Sequence, residues 1–485
     1  MSATVILSFS VFLLSFILVG LYSATRKKST TEDYLLASRD VGPWLTALSA
    51  AATNNSGYMF IGLIGWTYSV GISAMWLMVG WISGDYLAWW FIHRRVRIRS
   101  QQQGSLTIPS FLGDGLGGSG VWVVRSAAVI TLVFLGIYAA AQLKAGSKAL
   151  QVLFGWNIAA GILLGAIIVL LYCLFGGIRA SIWTDALQAV LMLGSMTLMI
   201  VLAIQRTGGF GGLWSSLAAM DPALIDPMPE NLRFGFATYL LGWIAAGLGV
   251  VGQPHIMVRA MAIDSPDHIA RARTIYVIWY VAFSAVCITC GLAARLLLEP
   301  GQGFEPELAL PLLSTDLLPP ILIGFVLAGL FSATMSTADS QILSCSAALT
   351  QDLFPRWRGS YWIAKAGTVV VTVIVTAIAL SGPATVFSLV VLAWSALASG
   401  LGPLLVVRAF GWPVDARTGL GMMLGGLACM LIWRFGFELS YSLYEVLPGM
   451  AGGFVSYLLL RYRGRTGTGA DRTPAIPRPE ELNAP

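Results

Sequence analysis

The chain has 485 residues, of which 57% are hydrophobic and only 11% charged, and its mean hydropathy is +0.77. A soluble domain carries about 25% charged residues, so this composition excludes a soluble protein and implies an integral membrane protein with little mass outside the bilayer. The net charge of +6 is accounted for below by topology and is no sign of nucleic acid binding.

Thirteen apolar segments approach or exceed the roughly 20 residues needed to cross the hydrocarbon: 3–24, 43–68, 70–93, 120–150, 156–175, 181–203, 235–260, 270–298, 318–350, 360–381, 385–410, 416–436 and 443–462. The first is not a cleavable signal peptide, because its basic cluster Arg26-Lys27-Lys28 follows the apolar run instead of preceding it. That order puts the N-terminus outside and residues 25–42 in the cytoplasm. Thirteen alternating spans then predict a cytoplasmic C-terminus. This threading places all but six of the 29 Lys and Arg residues (Lys144, Lys148, Arg206, Arg233, Arg295 and Arg434) on the cytoplasmic side, as the positive-inside rule asks. The acidic loop with Glu299, Glu305 and Glu307 falls outside. Residues 463–485, rich in Pro, Gly and charge, read as a disordered cytoplasmic tail.

Two spans are interrupted in their middles. AATNNSGY (51–58) sets two asparagines, a serine and a glycine inside an apolar run, and GLGVVGQPH (247–255) concentrates glycine and adds a proline. Unwound backbone at membrane depth is tolerated only where it lines a cavity, and a matched pair of broken segments marks the central site of a transporter. The spans of 43–203 and those of 235–410 would be the two halves of an inverted repeat. A third signal is the helix of residues 328–346, where Ser332, Ser336, Asp339, Ser340 and Ser344 share one face of an otherwise apolar segment. A carboxylate and several hydroxyls at that depth need a cavity or an ion.

Three carboxylates sit within or at the edge of spans. Asp339 either joins a cation site with Ser340 and Asp185 or makes a local hydrogen bond to a neighbouring helix. Asp85, in WISGDYLAWW, is expected to pair with Arg94 or Arg95. The cysteines lie within spans, and the Cys287–Cys290 CxxC reads as structural; with three scattered histidines, a metal centre has no support.

The stretches TALSAAATNNSGY (46–58), FGGIRASIWTDALQAVLM (175–192), GQPHIMVRAMAIDS (252–265) and SATMSTADSQILSCSAALTQDL (332–353) resemble the sodium/solute symporter family, and within it the bacterial sodium/proline symporters. The similarity runs over about residues 1–462. It implies an all-α, inverted-repeat (LeuT-like) bundle with the two halves as its ten-helix core. It further implies a sodium ion, the co-transported partner of the solute, held by the carbonyls of Ala52, Asn55 and Ala333 and the hydroxyls of Ser336 and Thr337. Sodium takes oxygen ligands, which suits that set; the alternative is that both hydroxyls bond back to carbonyls of their own helix. Asp185 matches an aspartate associated with sodium passage on the cytoplasmic side.

The resemblance also implies a substrate pocket of Asn54, Ser56, Gly57, Tyr138, Gln253, Pro254 and Trp394, with Tyr138 open to a plain packing role. Two departures stand out. Asn54 replaces the aspartate of the proline symporters, as in sugar-type members whose asparagine faces the substrate. Ala246 and Val250 replace aromatic residues, giving a roomier wall. The leading reading is a sodium-coupled importer of a small solute, proline first, with another amino acid, a monocarboxylate or a sugar as alternatives. A solute sensor of the same fold and a membrane enzyme are the competing classes; the first lacks a signalling domain after residue 462 and the second lacks a catalytic constellation. No obligate protein partner is inferred.

Overall fold

The structure, a computed structural model, describes residues 3–298, 304–382 and 386–466. Glu299 and most of the expected tail lie outside these; the last helix, Val446–Thr466, runs a short way into that tail. The described residues are helical throughout apart from connecting segments and one isolated bridge, Val41 to Ile263. Among the described residues ten helical runs are long and apolar enough to cross a membrane, and two of them join two expected spans each. Tyr58–Gln102 turns at Gly71, whose φ of 73° suits glycine and where a Cβ would lie 2.3 Å from the Leu224 carbonyl oxygen. Ile158–Arg206 joins the expected 156–175 and 181–203. Straight, its 49 residues would reach about 74 Å, more than twice the hydrocarbon thickness. It breaks at Gly177 (φ 56°, ψ −144°), and Tyr172 and Thr184, on opposite sides of the break, both press on Gly20.

Both interrupted spans break where the sequence places the interruption. The first is helical over Pro43–Asn54, leaves helical geometry at Asn55 (φ −89°, ψ 57°) and resumes at Tyr58. The second is helical over Gly235–Leu248, tightens to a 3₁₀ turn at 249–252, extends at Gln253 and restarts at Pro254. Proline has no N–H to continue a helix and drives the residue before it out of the α region, which fixes the second break. At the first, the freed Gly57 N–H donates to Gln142 Oε1 (2.9 Å) and the Tyr58 N–H to Ser56 Oγ (3.2 Å), so protein replaces the water that lipid cannot supply.

The helix Pro320–Ala347 occupies the centre: every residue from Val326 to Leu343 is buried. Its apolar faces therefore meet other helices, not lipid. Lipid-type surface lies instead on Leu7, Leu14, Leu18, Ile167, Ile278 and Val373 of peripheral helices. Around this centre, helix Met75–Ala88 rests against Gly235–Leu248 at backbone contact. A Cβ on Gly84 would lie 1.9 Å from the Ile244 carbonyl oxygen, and one on Gly247 1.9 Å from that of Trp81.

A short strap before the first broken helix is tied to the Ile158–Arg206 run. Ala37, Ser38 and Arg39 all hold left-handed geometry (φ 51°, 54° and 53°), an unfavourable conformation for side-chain-bearing residues. Arg179 holds it down, donating to Asp33 Oδ1 (2.6 Å) and to the Ala37 carbonyl (2.8 Å) from a nearly buried position. Arg179→Ala leaves the buried Asp33 carboxylate without a counter-charge, held only by the Lys28 N–H (2.8 Å) and the Ser38 hydroxyl (2.7 Å), and is expected to destabilise the protein by about 3 kcal/mol. A lowered thermal unfolding midpoint in detergent checks this; an unchanged one means the strap is held by other contacts.

Candidate ion and solute site

The first break faces the central helix across two hydroxyls. Ser336 Oγ donates to the carbonyls of Ala52 (3.1 Å) and Ala333 (3.2 Å), and Thr337 Oγ1 to those of Thr53 (3.0 Å) and Ala333 (3.1 Å). All five residues are buried. Each hydroxyl thus bonds back along its own helix and also reaches across to the break. The structure joins Ala52, Ala333, Ser336 and Thr337 directly. Asn55 sits on the same break with its amide folded onto the Ala51 carbonyl (2.9 Å) and its Oδ1 buried without a partner. Thr53 belongs to the set and was not foreseen. Ser332 only bonds back to Ala328 (2.6 Å).

One turn along the central helix lies a second buried network. Asp185 Oδ2 accepts from Ser49 (2.7 Å), Thr53 (3.3 Å) and the guanidinium of Arg259 (3.0 Å). Asp339 accepts from Tyr172 (2.8 Å), Ser181 (3.1 Å) and Ser340 (2.7 Å). Arg259 also donates to Ser49 (3.1 Å), Ser181 (3.0 Å), Ser340 and the His255 carbonyl. The expected trio of Asp185, Asp339 and Ser340 is therefore together, with an arginine among them. Arg259 and Asp185 are 1% and 0% exposed, so this ion pair is fully out of solvent. Two carboxylates against one guanidinium leave the network one negative charge in excess when all are ionised, and Asp185 Oδ1 has no hydrogen-bond partner. Arg259 stands in the motif GQPHIMVRAM. An arginine inside a span demands an acidic partner, and that signal could have found it.

The expected solute residues form two contacting groups. Ser56 Oγ lies 3.3 Å from Tyr138 OH, beside Gly57. Gln253 Nε2 donates to the Trp394 carbonyl (3.0 Å), and Trp394 Nε1 to that of Ala246 (2.9 Å). Trp81 bridges the groups, its ring centroid 6.0 Å from Tyr58 and 4.8 Å from Trp394. Ala246 and Val250 are fully buried, and Pro254 borders a narrow cleft of about 20 Å³ with Tyr34, Thr107 and Ser344, room for a single water.

Asp85 requires a correction. It does not pair with Arg94 or Arg95: Arg94 bridges Asp267 (2.9 Å) and Arg95 lies over the Phe410 ring. Nine or ten residues along a helix is about 14 Å, too far for that pairing, and the arginines leave the bundle while Asp85 turns inward. Asp85 is completely buried and accepts from Asn54 Nδ2 (2.9 Å) and Tyr276 OH. The asparagine expected to face solute thus has its amide on a carboxylate and on the Tyr276 hydroxyl.

Comparison with known proteins gives the family and the fold. The chain is 31% identical to the sodium/proline symporter of Escherichia coli (strain K12), over 97% of this chain and 95% of that one. It is 30% identical to the high-affinity proline transporter PutP of Bacillus subtilis (strain 168), over 91% and 94%. Among solved structures it resembles a substrate-bound, outward-open sodium-coupled sialic acid symporter (TM-score 0.80, 18% identity, 94% and 98% covered). It also resembles the nucleobase-cation-symport-1 transporter Mhp1 in a closed conformation (TM-score 0.59, 16% identity, 89% and 95% covered). These two likenesses concern the fold. The profile of the sodium:solute symporter family matches residues 34–427, and the chain belongs to that family.

Proposed function

We propose that the protein is a sodium-coupled symporter that imports a small organic solute, proline first, by alternating access in the bacterial inner membrane. It is a transporter, not an enzyme. The observation that carries this reading is the meeting of the Ala52 and Thr53 carbonyls, in the last helical turn before the break at Asn55, with Ser336 and Thr337 in a buried shell of oxygens. Carbonyls and hydroxyls suit sodium, which needs no soft or nitrogen ligand. Ala52, Asn55, Ala333, Ser336 and Thr337 are assigned to that ion. Asp185, Asp339 and Ser340 are assigned to a second cation site or an ion exit, an assignment supported by their excess negative charge and the unpartnered Asp185 Oδ1. Ser56, Gly57, Tyr138, Gln253, Pro254 and Trp394, with Ala246 and Val250, are assigned to the solute.

In this account sodium draws the first broken helix onto the central one and stabilises the solute-competent state. Solute in turn tightens sodium by the same factor. The halves 43–203 and 235–410 then exchange access around the fixed site, with the N-terminus outside and the C-terminus in the cytoplasm. A membrane potential adds about 2.3 kcal/mol per 100 mV for each sodium carried. The relatives named for proline favour that solute over other amino acids, monocarboxylates or sugars. Initial uptake of labelled proline into proteoliposomes, with and without an inward sodium gradient at clamped voltage, tests the reading. Sodium-stimulated uptake is expected. Uptake indifferent to sodium overturns the coupling, and sodium-driven uptake of another solute class overturns proline.

A further inference from the structure

The sodium shell and the Asp185 network both lie on one side of the first broken helix, through Ala52 and Thr53. Asn54, the next residue, projects to another side and meets a carboxylate neither network uses. Asp85 is wholly buried, Tyr276 is 1% exposed and Asn54 7%. Among the described residues Asp85 forms no ion pair with Lys, Arg or His. An isolated carboxylate at such depth is strongly disfavoured unless something cationic or a proton joins it.

The local hydrogen-bond pattern says what kind of group fits. The Asn54 amide and the Tyr276 hydroxyl both donate to Asp85 Oδ2. What remains is Asp85 Oδ1 and Asn54 Oδ1, both buried, both without a hydrogen-bond partner, and both only able to accept while the carboxylate is ionised. The walls are aromatic: Trp89 lies 5.1 Å from Tyr276, and Trp81 stands one helical turn from Asp85 beside Trp394. Acceptor oxygens bearing one negative charge suit a nitrogen cation with N–H donors. Sodium has its own oxygen shell at Ser336 and Thr337.

We propose that Asp85, with Asn54 Oδ1 beside it, is the subsite for the ammonium group of the transported solute, which makes the protein selective for amine-bearing solutes. This deepens the proposed function and rests on it. Asn54 and Asp85 together do from two helices what one carboxylate on the break would do alone.

The test compares labelled proline with cyclopentanecarboxylate, a ring acid of similar shape without the nitrogen, as competitor in proteoliposomes. Wild type is expected to prefer proline at least tenfold. D85N is expected to raise the proline half-saturation at least tenfold and abolish that preference, while sodium binding measured without solute stays as in wild type. N54D/D85N, which moves the carboxylate to the other member of the hydrogen-bonded pair, is expected to restore the preference. This swap decides the matter if D85N alone folds poorly. Three results overturn the proposal: unchanged proline half-saturation in D85N, equal weakening of proline and the nitrogen-free acid, or loss of solute-free sodium binding. A wild-type protein that moves no amine-bearing solute overturns the proline reading and this inference together. Proline transport by wild type with D85N unaltered overturns this inference alone.

Discussion

Arg259→Met is expected to destabilise the protein by about 3–5 kcal/mol, because it leaves two buried carboxylates facing each other's field with no counter-charge. Arg259 touches Asp185, Ser181, Ser340, Ser49 and the His255 carbonyl, so one substitution removes the donor that organises four helical segments. The expected readout is a sharp fall in folded, monodisperse protein and in its thermal midpoint. Removing both partners is a different matter. In R259M/D185N no charge of the pair remains, and Asp339 keeps Tyr172, Ser181 and Ser340 as donors, so most of the stability is expected to return. The double variant then separates two roles of Asp185. A counter-ion only would leave transport intact; a carboxylate on the sodium path would leave a folded protein with slow sodium-driven uptake, which is the expected result. If R259M alone is as stable as wild type, the pair does not hold these helices.

The second large effect belongs to the sodium shell. Ser336→Ala and Thr337→Ala each remove one oxygen facing the break. A ligand oxygen to a buried cation is worth about 1.5–3 kcal/mol, by analogy with hydrogen bonds to charged groups, so sodium half-saturation is expected to rise about 10- to 100-fold in each. Thr337→Ser keeps the oxygen and is expected to stay close to wild type. Protein level is expected to change far less than sodium dependence, since what is lost structurally is one neutral hydrogen bond across the interface. Equal losses of protein and sodium affinity would mark these hydroxyls as interhelical fasteners.

Much of this arrangement is legible in the sequence because it rests on local chemistry. Proline after Gln253 and the run Asn55-Ser56-Gly57 weaken a helix locally, and both breaks appear where those residues stand. The serine stripe marks a helix face, and the helix proves buried on every side from Val326 to Leu343. Partners across helices are another matter. Asp85 sits in WISGDYLAWW, apolar on all sides, so periodicity names no inward face, and the nearest positive charges in sequence misdirect its pairing. Its true neighbour, Asn54, lies 31 positions away. Arg259 hides for the same reason. A buried arginine announces that an acid is near, but only the folding of the second break against the 158–206 run brings Asp185 to it. The break at Gly177, by contrast, falls between the expected spans 156–175 and 181–203, where the sequence reads Gly176-Gly177.

The central claim is that sodium and solute share one coupled site at the first break. Its most direct test is a sodium binding isotherm on purified protein with and without saturating proline, in wild type and in Thr337→Ala. Proline is expected to lower the sodium half-saturation in wild type and sodium the proline half-saturation by the same factor, with sodium binding in Thr337→Ala at least tenfold weaker. Sodium affinity that is indifferent to proline, or that survives loss of the Thr337 hydroxyl unchanged, would contradict a shared site.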